Sequence, residues 1–400
     1  MVLSSGAPRE PLIDTLRGLA LFGILAVNIQ AYSYGLHGIS LGILNEASSW
    51  ADHATVIGIA LFLQYKAYPL FCFCFGYGFA LQTRRWRAQG VNASNRFARR
   101  TNFLLGLGAV HGVLLWFGDV LTSYGIAGKV IAAHIGKGPR RLLDPLRFWT
   151  VAWLIFSIPV VIALAWTTGD VAGESLKADT MASFRVYTQA GFWEALSYRA
   201  GDFVVYTTGF FLIGAELVLI MLLGAWCALT GVLRSPERHK LFWRSVLKAG
   251  IFIGIPVNAC FALFAWHDAA HPWDSRGVLQ ALPDGFAATG AAMIISGLAL
   301  AHRSLIVRVL ITILAPAGRY ALTHYVTQSV LMFVLLSGSG LGWGASLKQA
   351  HLLGLASCIF VMQVLISHVA LKAGFEGPLE RWWRRYTYAT STNLQHRRGV

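Results

Sequence analysis

Asp14 and Arg17 stand at the mouth of an apolar run that carries a lone amide, Asn28. Further along, His111 sits inside another apolar run and Asp119 follows it. A plain membrane anchor needs neither pair, because polar groups in hydrocarbon are costly and are kept for a partner or a pathway. His111 suits a general base, with Gly112 leaving space beside the ring and Asp119 able to orient or recharge the imidazole. Along an unbroken helix the two would lie about 12 Å apart, so contact requires the helix to end near Gly118 and the chain to fold back. Phe117-Gly118-Asp119 permits that turn. Lys66 and Glu216 lie in the middle of apolar runs, where they could organise a cavity or neutralise one another. Arg319/Thr323 and His324/Gln328 are spaced i, i+4 and so share helix faces. Plainer roles exist for several of these. Gln328 and Ser329 can be interhelical glue, and Arg17 can snorkel to headgroups.

The elements that must position these residues follow from composition. Of 400 residues, 56% are hydrophobic and only 13% charged, against about 25% charged in soluble domains. Mean hydropathy is +0.57. Apolar runs near span length recur, so the chain reads as an all-α polytopic membrane protein. Candidate spans are Leu16–Tyr34, Thr55–Leu81, Thr101–Phe117, Leu121–Ile135, Phe148–Trp166, Val204–Leu229, Val246–Trp266, Gly285–Ala301, Tyr320–Leu336 and Leu352–Leu371. That is about ten. Ser304–Leu314 is shorter and reads as a half-span or interfacial helix, broken at Pro316-Ala317-Gly318. The organisation is one integrated membrane domain: an N-terminal half over 1–166, an outer loop over 167–203 with an interfacial helix, and a C-terminal half over 204–400. Phe184, Tyr187, Phe192, Trp193 and Leu196 suit a helix lying on the membrane surface.

The net charge of +15 is explained by the loops. Arg84, Arg85, Arg87, Arg96, Arg99 and Arg100 fill one loop. Lys129, Lys137, Arg140, Arg141 and Arg147 lie in a second, and Arg234, Arg238, Lys240 and Arg244 in a third. Arg381, Arg384, Arg385, Arg397 and Arg398 fill the tail. With an even number of spans all of these share one side, which makes both termini cytoplasmic. Glu46, Asp52, Asp170, Glu174, Asp179, Glu194, Asp202, Asp268, Asp274 and Asp284 fall on the other. No basic stripe is interleaved with aromatics on a soluble face, which excludes nucleic acid as a partner. The cysteines lie in apolar runs, and Cys72-Phe73-Cys74 is not a metal spacing. No P-loop, GxSxG, HExxH or Rossmann fingerprint occurs in a fitting context.

Several blocks in order resemble the bacterial YeiB family. They are Leu16-Arg17-Gly18-Leu19-Ala20 with Asn28, Lys66 with Leu70-Phe71 and Phe75-Gly76-Tyr77-Gly78, His111-Gly112, Gly118-Asp119 and Tyr124-Gly125-Ile126-Ala127-Gly128. Glu216 with Met221-Leu222-Leu223-Gly224 continues the pattern. Gly318-Arg319-Tyr320-Ala321-Leu322-Thr323 with Tyr325, Gln328 and Ser329, and Gly377-Pro378-Leu379-Glu380-Arg381-Trp382-Trp383-Arg384, complete it. More distantly, the 69–76 block and the Arg17/Asn28 spacing resemble the heparan-α-glucosaminide N-acetyltransferase-like membrane acyltransferases. The spacing is also similar to the Arg-x10-His motif of the acyltransferase-three family, with Asn28 in place of the histidine.

That resemblance implies an acyltransferase in the bacterial inner membrane. It would move an acyl group from cytoplasmic acyl-CoA, of which acetyl-CoA is the expected form, to a hydroxyl or amine on the outer face. The implied catalytic residues are His111, Asp119 and Glu216, with His37 as the rival base. Arg17, Asn28, Lys66, Gly76, Gly78, Arg319 and Gln328 would bind the co-substrate, without a metal. The partners implied are membrane lipids, acyl-CoA, a small-molecule or glycan acceptor and, as an option, a second copy of the chain. Two other classes fit the polar interior: a proton-coupled permease, and a non-catalytic lipid- or partner-binding protein. Against the permease, one break near Pro316 is not a pair of discontinuous helices.

The loop charges generate the first prediction. In a chain whose native cysteines have been replaced, Glu174→Cys should react with an impermeant thiol reagent applied from outside, and Arg96→Cys should not. The opposite labelling pattern would invert the whole arrangement.

Overall fold

The computed structural model describes residues 10–36, 48–134, 138–166, 170–270, 286 and 288–388, with side chains throughout except at 156–166, 170–176 and 210–213. His37, Glu46, Lys137, Asp274, Asp284, Arg397 and Arg398 lie outside the described residues. Among the described residues the regular structure is entirely helical. The helices are α1 (Pro11–Ala31), α2 (Trp50–Phe62), α3 (Ala67–Ala88), α4 (Ala93–Leu114), α5 (Val120–Ala132), α6 (Leu143–Trp166), α7 (Asp170–Gln189) and α8 (Phe192–Thr230). They continue with α9 (Lys240–Ala249), α10 (Ile255–Ala270), α11 (Thr289–Leu300), α12 (Leu305–Arg319), α13 (Ala321–Leu336), α14 (Gln349–Lys372) and α15 (Pro378–Tyr388).

Four continuous stretches are long and apolar enough to cross a membrane: Pro11–Tyr34, Trp50–Ala88, Lys240–Ala270 and Gln349–Lys372. Two bent pairs raise the number to six: Phe192–Gly209 with Gly214–Thr230, bent by 66°, and Thr289–Leu300 with Leu305–Arg319, bent by 114°. Val120–Ala132 and Ala321–Leu336 are shorter apolar helices. The protein is therefore a multi-pass helical membrane protein.

Sequence and structure differ in three places. The break expected at Pro316 falls elsewhere, because α12 runs through Pro316 to Arg319 and the sharp bend precedes Ser304, which caps α12 through Val307 N–H. Pro316 cannot donate to the Thr312 carbonyl, and His368 Nε2 takes that oxygen instead at 3.0 Å. Discontinuous helices occur twice, not once. The 167–203 stretch is more helical than a loop with one surface helix. It holds α7 and the start of α8, and Tyr187, expected on the membrane surface, is buried with 1% exposure.

Two helix crossings bring backbones into direct contact. A Cβ at Gly18 would strike the Leu314 carbonyl, and one at Gly318 would strike the Asp14 carbonyl, so α1 and α12 cross without intervening side chains. Gly76 against Met221 and Gly224 against Phe73 make the same arrangement between α3 and α8. With no hydrophobic drive between helices in lipid, such close approach is how spans gain packing energy. Around these crossings lie two buried apolar clusters. One includes Leu16, Phe73, Tyr77 and Met221; the other includes Leu21, Leu25, Trp116, Phe117 and Leu336.

Gly318→Ala should therefore cost about 1–3 kcal/mol through overpacking. Gly297→Ala, on a helix with open space at the Cβ position, should be neutral or stabilising by about 1 kcal/mol. Thermal unfolding of the two variants in detergent compares them directly. Equal melting temperatures would show that the α1–α12 crossing is looser than described.

Candidate functional site

α4 ends at Leu114, and the chain turns back through residues 115–119 into α5. Asp119 is the N-cap of α5 and accepts from Thr122 N–H through Oδ2 at 2.6 Å. Its other oxygen, Oδ1, lies 2.9 Å from His111 Nδ1. Among the described residues that nitrogen has no other partner, and the approach is off the line of a good hydrogen bond, so the contact is a close polar pairing. His111 Nε2 meets Ser329 Oγ of α13 at 2.8 Å. Hydroxyl, imidazole and carboxylate thus stand in line, each 1% exposed. Tyr325, one turn before Ser329, packs its ring 4.9 Å from the imidazole centroid, and its hydroxyl donates to Asp119 Oδ1 at 3.5 Å and accepts from Val120 N–H at 3.2 Å.

Tyr325 also forms part of the wall of a cavity of about 160 Å³. Arg17, Arg100 and Arg319 line it, together with Gly78, Gln82, Tyr124 and Glu380. The α1–α12 crossing explains the first grouping: Gly18 and Gly318 touch the opposite backbone, so their neighbours Arg17 and Arg319 reach one cavity. Arg17 is paired with Asp14 at 2.9 Å and reaches the Cys74 carbonyl at 3.4 Å. Arg100 donates to Gln82 Oε1 at 3.0 Å and lies 3.6 Å over the Trp383 ring, while its Nε has no partner among the described residues. Glu380 of α15 accepts from Leu322 and Thr323 N–H at 2.8 and 3.1 Å, capping the N-terminus of α13 from another helix. Trp383 Nε1 bonds the Arg100 carbonyl at 3.1 Å, so α15 is fastened along the cavity. Arg100 and His111 are eleven positions apart on α4, about 16 Å along the axis. The cavity is thus the basic end of a polar line that leads inward to the buried histidine.

Of the residues singled out in the sequence, the structure brings Arg17, Gly78 and Arg319 to the cavity, and His111 and Asp119 to each other. It places the others apart. Gly76 faces the α8 backbone, so the close approach it permits is that of a helix and not a ligand. Gln328 donates to Gln363 Oε1 of α14 at 2.8 Å and is interhelical glue. Asn28 is partly buried on α1 and does not line the cavity.

Lys66 and Glu216 are not partners. Lys66 sits at the break between α2 and α3, where Gln64 N–H reaches back to Ile59 O and the Lys66 amine takes the Ala60 carbonyl at 2.5 Å. It caps a freed carbonyl at a helix C-terminus. Glu216 instead accepts from the Tyr68 hydroxyl at 2.8 Å, and the Tyr124 hydroxyl donates to the Tyr68 carbonyl at 3.3 Å. Glu216 therefore reaches the cavity wall only through two tyrosines. His324 is occupied elsewhere, with Nε2 2.6 Å from Ser367 Oγ.

Sequence reasoning missed Arg100, Tyr325, Glu380 and Trp383 as cavity residues. Arg100 read as one more loop charge, and the other three appeared only inside the blocks quoted for resemblance. Their helical spacing offered no sign, because the contact between α13 and α15 crosses a loop and α14.

A family model described as a protein of unknown function, DUF418, matches residues 227–390. The chain is 26% identical over 396 residues to the uncharacterized protein YxaH of Bacillus subtilis (strain 168), covering 95% of this chain and 94% of that one. It is also 26% identical over 398 residues to the uncharacterized protein YeiB of Escherichia coli (strain K12), covering 95% and 96%. No solved structure matches. With relatives aligned nearly end to end and the C-terminal model matched across the helices that close the cavity, the chain is similar to the YeiB-like proteins and to the DUF418 family.

Proposed function

We propose that this protein is an inner-membrane acyltransferase that takes an acyl group from cytoplasmic acyl-CoA and passes it to a hydroxyl or amine entering from the opposite face. The observation that carries the reading is Tyr325, which lines the arginine cavity and touches the Asp119–His111 pair behind it. Loop charge puts the arginine end in the cytoplasm. An even number of spans, as the loop charges require, would return the chain to the side on which it started.

Coenzyme A is polyanionic, and Arg17, Arg100 and Arg319 supply charge-assisted donors of the kind that hold phosphates. A cavity of about 160 Å³ is smaller than the roughly 300–1,000 Å³ of common ligand pockets. It suits a thioester arm, with the nucleotide left at the rim. Gly78 leaves room for that arm, since only Arg17 stands near the position of its missing Cβ, at 3.0 Å. His111 is the base. Asp119 holds Nδ1, which leaves Nε2 to receive a proton, and the Ser329 hydroxyl now occupies the position of an attacking hydroxyl. Glu216 acts at a distance through Tyr68 and Tyr124.

A proton-coupled permease is the second reading, favoured by the two bent helix pairs. Broken spans lining a central site are the signature of many transporters. Substrate accumulation in proteoliposomes without CoA turnover would establish it.

His111→Ala should lower acyl transfer about 10²–10⁴-fold while leaving folding and coenzyme A binding intact. Arg319→Ala should weaken coenzyme A by about 1.5–3 kcal/mol. Isothermal calorimetry on the purified wild type decides the first point: no coenzyme A binding ends the acyltransferase reading. Near-normal turnover by His111→Ala with a dead His37→Ala would move the base to position 37.

A further inference from the structure

Arg199, on α8, is 0% exposed. Its Nη1 donates to the Leu114 carbonyl at 2.7 Å, capping the end of α4 three residues past His111. Its Nε and Nη2 have no hydrogen-bond partner among the described residues. Two aromatic faces lie against the guanidinium, Phe333 at 5.3 Å and Tyr187 at 5.8 Å. They soften the charge but accept no classical hydrogen bond. The nearest acid on the same helix is Asp202, whose Oδ2 is engaged by the Tyr187 hydroxyl at 2.8 Å and by Leu36 N–H at 3.1 Å. A buried cation with unfilled donors is among the most expensive arrangements a protein can hold, and buried polar groups of this kind are almost always satisfied by something.

Two other unfilled donors lie on residues that adjoin this run of aromatic rings. Trp116 and Ser337 are both 0% exposed, and Trp116 Nε1 and Ser337 Oγ have no partner among the described residues. Trp116 stacks on Tyr32 at 5.4 Å, and Tyr32 meets Tyr187 edge-on at 6.1 Å. Ser337 lies one turn beyond Phe333, and its neighbour Gly338 donates N–H to the Tyr187 carbonyl at 3.1 Å. An α4 helix of 22 residues separates this place from the arginine cavity by most of its length, so the two sites are distinct.

We propose that Arg199 binds a carboxylate in this cage. The Nε and Nη2 edge of a guanidinium presents two parallel N–H groups, the geometry that matches both oxygens of one carboxylate. The source is either a free small carboxylate or a carboxylate carried by the acceptor. In the second case, which rests on the acyl-transfer reading, the site selects acceptors whose acid group sits beside the hydroxyl or amine presented to His111.

The test is thermal unfolding of the full chain in detergent with sodium acetate, and with acetamide as the uncharged control. Acetate should raise the melting temperature of the wild type and of Arg319→Leu by a few degrees, acetamide should not, and Arg199→Leu should lose the rise. Arg199→Gln, which keeps a donor for the Leu114 carbonyl, gives the same comparison if Arg199→Leu fails to fold. A wild type indifferent to acetate overturns the proposal. So does a rise that survives in Arg199→Leu or Arg199→Gln, a rise lost only in Arg319→Leu, or an equal effect of acetamide. Coenzyme A calorimetry on the same samples keeps the two readings apart. Acetate binding at Arg199 without coenzyme A binding leaves this site standing and removes acyl transfer; the reverse removes only this site. Acceptors with and without an acid group, compared at equal concentration, then separate a free carboxylate from an acceptor's own.

Discussion

The arginine cavity depends on two backbones touching. Because Gly18 and Gly318 have no side chains, α1 and α12 meet carbonyl to Cα, and Arg17 and Arg319 are carried into one small cavity. Any larger residue at either crossing would push the helices apart by a side chain's width and leave the arginines facing separate surroundings. The second glycine crossing, between α3 and α8, fixes Gly78 in the same wall. Membrane packing rewards this arrangement because van der Waals contact and satisfied polar groups, not hydrophobic exclusion, hold helices together in lipid.

The inner half of the site depends on how a chain reversal satisfies its backbone. When α4 stops at Leu114, the last carbonyls lose their intrahelical donors. The Leu114 oxygen goes to Arg199 and the Leu115 oxygen to the Tyr32 hydroxyl at 3.5 Å. The opening N–H groups of α5 go to Asp119 and Tyr325. Asp119 thus does two things at once. One oxygen starts a helix, and this holds the carboxylate still while the other faces His111.

The sequence made some of this legible. The apolar runs mark the helical membrane class, and Phe117-Gly118-Asp119 marks a place where the chain can turn, which is where it turns. Charge alone misled at Lys66 and Glu216: opposite signs in apolar runs suggest a pair, but each found a local partner, a freed carbonyl for one and a tyrosine hydroxyl for the other. Gly76 and Gly78 look equivalent in sequence, yet two positions apart on a helix they face different neighbours. Proline at 316 predicts a break that a distant histidine makes unnecessary. Arg199 sat in a stretch that read as a surface loop, and only the three-dimensional packing shows it buried. For Glu216, Gly76, Pro316 and Arg199, what the sequence hides is the identity of a partner far along the chain.

α13 ties these features together through helical periodicity. Leu322, Tyr325, Ser329, Phe333 and Leu336 recur at three- and four-residue intervals and so form one face. That face begins at the arginine cavity, passes His111 at Ser329 and reaches Arg199 at Phe333. Gln328 differs from Ser329 by one position, about a hundred degrees around the helix, and belongs to another seam, where Thr327, Gln328 and His324 bond Gln363 and Ser367 of α14. The neighbouring faces therefore have separate tasks. One seam of side-chain hydrogen bonds fixes α13 against α14, and Glu380 caps the start of the helix. Held at its end and along one side, α13 can present the other side as a fixed line of contacts from the basic cavity to the buried guanidinium.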